Sequence, residues 1–78
     1  MEDKIRQELD ALNKKRFESN LSWHLQNAID ELIVGEKDNV TYLDCLWCEV
    51  YGSINADYWS GVISFEQAKY LRKKYLGI

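Results

Sequence analysis

The sequence has no proline and only four glycines among its 78 residues. These are the two strongest chain breakers, so few points along the chain force a turn. Strand-like alternation of apolar and polar residues is also scarce, which leaves helices as the natural reading. The chain begins Met1-Glu2-Asp3-Lys4 and runs directly into an amphipathic pattern, without the apolar stretch of a signal peptide. No apolar run is long enough to cross a bilayer. The expectation is a cytoplasmic protein with no membrane partner, whose two cysteines are reduced thiols. A glycine-rich phosphate loop and a nucleophile motif are missing as well. The single histidine, His24, has no partner in sequence that would make it a general base. These absences read as a non-enzyme with no catalytic residue, no cofactor and no metal centre.

What is present suits one small domain spanning residues 1–78. Hydrophobic residues make up 46% of the chain, too many for a disordered segment. Three tryptophans and five tyrosines are a heavy aromatic load. Their large side chains suit the filling of a small core, and they also anchor interfaces. Between Phe17 and Ala68 there are nine acids and one base, Lys37. Bases gather outside this stretch, at Lys14, Lys15 and Arg16 and at Lys69, Arg72, Lys73 and Lys74. An acidic middle makes nucleic acid an improbable partner and suits a basic protein surface.

Helical spacing organises the chain. Ile5, Leu9 and Leu12 mark one face of a first helix over about 3–17, with Glu2–Arg6, Lys4–Glu8 and Asp10–Lys14 as opposite charges four apart. A second stripe comprises Phe17, Leu21, Leu25, Ala28 and Leu32, with Ile29 beside it. In one straight helix the two stripes would face nearly opposite ways, so a break is expected near Ser19-Asn20. Trp23 and Val34 lie off the stripe, Gly35 is expected to end the helix, and residues 35–39 read as a loop. Thr41 with Asp44 resembles a capping box for a third helix. That helix carries a core stripe of Leu43, Leu46, Trp47, Val50 and Ile54, and small residues at Cys48, Gly52 and Ala56 on its other side. A helix apolar or small on two sides belongs in the centre. Ser60-Gly61 ends it, and Ser64 with Gln67 fits a capping box for the last helix, where Ala68, Leu71 and Tyr75 face inward. Ile63 stands where a hydrophobic staple to Ala68 would form. The fold class is all-α, a compact bundle of about four helices with the third central.

Two patterns invite a chemical reading. Cys45-Leu-Trp-Cys48 has redox or zinc spacing, but it falls inside a helix and lacks further ligands, so buried small residues are the expected role. Asn55, Asp57 and Glu66 match three positions of a calcium loop whose other oxygens are missing.

The stretch from Ile54 to Leu76 contains a Gly-x-Ile-Ser turn before a capped helix. It resembles the tail of small uncharacterised helical proteins of phages and mobile elements of Gram-positive bacteria. The resemblance covers less than a third of the chain and implies an inhibitor or regulator of a host protein. The functional expectation is non-catalytic binding to another protein. The alternative is a nucleotide-like small-molecule binder with a pocket between subunits. Candidate interface residues are Trp23, Cys48, Gly52, Ala56 and Trp59, and the small face of the third helix could equally pair two copies as a homodimer.

Overall fold

A computed structural model describes the backbone of residues 2–78 and the side chains of residues 4–78. The proposed Glu2–Arg6 pair therefore lies outside the described side chains. Among the described residues four helices follow in order: α1 (Glu2–Phe17), α2 (Trp23–Asp38), α3 (Leu43–Trp59) and α4 (Phe65–Leu71). The last continues into five residues of the wider π form, Arg72–Leu76. The chain is an all-α bundle in which α3 packs on α2, on α4 and on the C-terminal π segment. Among the described residues no helix is long and apolar enough to cross a membrane.

The break after α1 falls where the stripes demanded it. Asn20 takes a left-handed φ of 64°, which asparagine tolerates better than most residues. Ser22 then caps α2, its Oγ accepting from the Leu25 N–H at 3.1 Å. Two boundaries differ from expectation. Helix α2 runs through Gly35 to Asp38, and Asn39 closes it in the left-handed conformation at φ 54°. Gly35 serves close approach instead of termination: a Cβ there would lie 2.4 Å from Leu46 Cδ1. Thr41 does not cap α3. Tyr42 occupies that position and makes no side-chain cap. At α4 the capping box forms as read, with Ser64 Oγ accepting from Gln67 N–H and Gln67 Oε1 from Ser64 N–H.

The core is aliphatic. Leu25, Ala28, Ile29 and Leu32 of α2 meet Leu46, Val50 and Ile54 of α3, with Ile63, Ala68, Leu71 and Leu76 closing the far side. Side chains such as Leu25, Ile29 and Ile54 each contribute about 1.5–3 kcal/mol by leaving water. The aromatic residues do not fill this core. Trp47, Tyr58, Tyr70 and Tyr75 pack around it half-buried, and Trp23, Tyr42, Tyr51, Trp59 and Phe65 are exposed. The interior between short helices is narrow, and the tyrosine hydroxyls and the tryptophan N–H need polar partners at its edge.

Helix α1 meets the body at α4. Phe17 stacks on Tyr70 with centroids 4.9 Å apart, and the Phe17 carbonyl accepts from Gln67 Nε2 at 3.3 Å. Its apolar stripe of Ile5, Leu9 and Leu12 stays exposed along the helix.

Candidate functional site

Helices α2 and α3 are antiparallel, joined by the short turn after Asn39. Their open side forms a groove of about 840 Å³. Three of the expected interface residues, Cys48, Gly52 and Ala56, lie along it, with Ala28 across from them on α2. They share one face of α3 because they are four apart. Gly52 has no atom within 4 Å of where a Cβ would stand, and Cys48 and Ala56 are exposed beside it, so the described residues leave this face uncovered.

Neither tryptophan lines the groove, but each adjoins in sequence residues at one end of it, Trp23 between Ser22 and His24 and Trp59 beside Ser60. Trp59 follows Ala56 by one turn and is 82% exposed, and Trp23 opens α2 and is 72% exposed. A specific bond holds that end together. The buried Asp57 carboxylate of α3 accepts from the backbone N–H of Ser22 at 3.0 Å, just before α2 begins. Asp57 Oδ2 is therefore engaged in a structural bond, and Asn55 Oδ1 accepts from Arg72 Nη2 at 2.5 Å. Trp59 leans on Tyr58, which meets Phe65 edge-on, and Trp23 meets His24 edge-on. Exposed Val62, also along the groove, extends the apolar patch. Large apolar side chains gathered on a surface mark contact sites.

The charges along the groove are of one sign. Glu31 projects from α2 and Glu49 from α3, and among the described residues no lysine or arginine lines it. His24 lies near the tryptophan end. Neither Val62 nor Glu31 is singled out by the sequence, and His24 stands out there only as a histidine without a partner for general-base chemistry. Their place follows from the pairing of α2 with α3, which spacing within one helix does not reveal.

The cysteines require a correction. Cys45 and Cys48 were expected to be buried, and both are exposed free thiols. Leu46 and Trp47 between them take the inward positions. Leu46 enters the core, and Trp47 donates from Nε1 to the Leu76 carbonyl at 3.2 Å. The turn of α3 therefore presents Cys45 and Cys48 outward. Among the described residues no group of three or more His, Cys, Asp or Glu is arranged to hold a metal ion.

A second polar cluster fastens the fold. The Glu18 side chain is only 4% exposed. Its carboxylate accepts from Lys74 Nζ at 2.6 Å, from Tyr70 OH at 3.2 Å and from Tyr75 OH. Burial works to raise the Glu18 carboxyl, but the bonds from Lys74 and Tyr75, the Lys74 charge and the Tyr70 bond outweigh it and hold it below its ordinary value. Burial first, then the bond to the Glu18 carboxylate, pushes the Tyr75 hydroxyl up to about 12. Burial disfavours the Lys74 ammonium, yet its bond to Glu18 raises it overall. This cluster ties the corner between α1 and α2 to the C-terminal segment. No local sequence pattern marks it, since its members lie more than fifty positions apart.

Comparison with protein families, with curated proteins and with solved structures finds no match to this chain. The functional reading rests on the groove and its chemistry.

Proposed function

We propose that the protein is a non-catalytic binding module that takes a basic, amphipathic helix of another protein into the α2–α3 groove. The carrying observation is the uncovered small-residue face of α3, with exposed Trp59 three positions beyond Ala56, bordered by Glu31 and Glu49 and by no lysine or arginine among the described residues. Small residues let a partner helix approach closely, as at other tight helix contacts. Trp59 and Trp23 supply the rigid aromatic anchors that dominate binding energy at interfaces. The carboxylates select a cationic flank and speed encounter. An inhibitor or adaptor role agrees with this reading and with the resemblance in the C-terminal third of the sequence. The nucleotide alternative is disfavoured, because Glu31 and Glu49 repel phosphate.

The test compares wild type with Gly52→Leu and Trp59→Ala as bait in one lysate. Both positions face solvent, so circular dichroism should show the same helix content in all three. One stoichiometric protein, held by wild type and lost from both variants, is the expected result. Retention by both variants would remove the groove from the interaction. A co-purifying ultraviolet-absorbing small molecule would transfer the surface to the small-ligand reading. A dimer in light scattering that Gly52→Leu converts to a monomer would assign the groove to a second copy.

A further inference from the structure

Cys45 and Cys48 lie one helical turn apart on α3, both exposed and unpaired. Side chains three apart on a helix are surface neighbours, with Cβ atoms about 5–6 Å apart. A disulfide needs those atoms about 3.5–4.5 Å apart, so closing one here would require the turn to tighten. The turn is poorly placed to do so. Leu46 is held in the core, and Trp47 is held by its bond to the Leu76 carbonyl and by stacking on Tyr51. An ion between two sulfurs spans a wider gap than a sulfur–sulfur bond, since metal–thiolate distances are about 2.3 Å on each side.

From this juxtaposition we propose that Cys45 and Cys48 form a two-thiolate site for a soft monovalent cation, Cu(I). Soft thiolates select Cu(I) over hard cations. Zinc in a structural site takes four ligands, and no third ligand from His, Cys, Asp or Glu joins the pair among the described residues. A two-coordinate ion is the one that this pair completes unaided. Binding is a ligand exchange with no oxidation: each thiol releases one proton and each sulfur donates to the same Cu(I). The acidic neighbours Asp44 and Glu49 in sequence favour the approach of a cation.

The experiment titrates the reduced full-length chain, without oxygen, with Cu(I) held by a chromogenic chelator. Wild type should withdraw one ion per chain from the chelator and remain a monomer or keep the oligomeric state it has without the metal. Cys45→Ser and Cys48→Ser should each weaken binding by about 100-fold or more, because the second thiolate acts at high effective concentration. Circular dichroism should be unchanged in both, since each side chain faces solvent. X-ray absorption at the copper edge should report two sulfur neighbours. Loss of binding in only one serine variant, an ion shared between two chains, or affinity equal to that of a single-cysteine variant would overturn the site. Rapid closure of an intrachain disulfide in mild oxidant, with helix content kept, would overturn the geometric argument for it.

Discussion

Replacing Glu18 by glutamine tests the tie between the α1–α2 corner and the C-terminal segment. The carboxylate is buried and receives three donors, from Lys74, Tyr70 and Tyr75. Hydrogen bonds to a charged group contribute about 1.5–3 kcal/mol each, and buried donors left unmet cost about 1–3 kcal/mol. The full sum does not apply. Lys74 keeps a third of its side chain in water, and glutamine retains one acceptor oxygen. A loss of about 2–3 kcal/mol is expected. For 78 residues the whole folding stability is about 4–12 kcal/mol, so the variant should remain folded but melt clearly earlier. The pH dependence has a definite sign. Glu18 is held below its ordinary value of 4.5, so its stabilisation is present above that pH and is lost as pH falls through the folded-state value. Tyr75, raised from 10.0 to about 12, stabilises fully below pH 10 and loses that contribution between 10 and 12. Lys74 is raised too, and its contribution declines only as pH climbs beyond 10.5. Urea unfolding followed by circular dichroism at pH 3, 7 and 11 measures all of this. In Glu18→Gln the acid-side loss should shrink. A variant within about 0.5 kcal/mol of wild type at pH 7, or one with an unchanged acid limb, would refute the reasoning.

Gly52→Ala should stabilise the fold by about 1 kcal/mol in thermal melts, because the helical position is open and alanine is the better helix former. Gly35→Ala should lower stability by about 1 kcal/mol: overpacking against Leu46 and Val40 costs about 1–3 kcal/mol and exceeds the propensity gain. Asp57→Ala should cost about 1–3 kcal/mol in urea unfolding, since the Ser22 N–H at the start of α2 loses its acceptor. Trp23→Ala and Trp59→Ala should each shift stability by less than about 0.5 kcal/mol, and unfolding of either would show that its ring belongs to the core.

The helices, and most of what α2, α3 and α4 turn inward, are legible in the sequence, whereas the stripe of Ile5, Leu9 and Leu12 on α1 stays exposed. The stripe from Leu25 to Leu32, the stripe from Leu46 to Ile54 and the Ser64–Gln67 cap all depend on residues within a few positions of one another, where helical geometry applies directly. The opposed faces of Ile5 and Leu21 likewise required the bend near Asn20. Local signals misled where a residue answered to a distant partner. Gly35 looked like a terminator but makes room for Leu46, and the cysteines looked like small buried residues until Leu46 and Trp47 took the inward places. The open face of Cys48, Gly52 and Ala56 was visible as a pattern, but whether another helix of the same chain covered it was not. Tertiary packing alone docks α1 on α4 and leaves the face bare, brings Glu18 to Lys74 and Tyr75, and bonds Asp57 to the Ser22 N–H at the start of α2. Such pairings depend on how whole helices pack, and the periodicity of one helix carries no information about which neighbour it will meet.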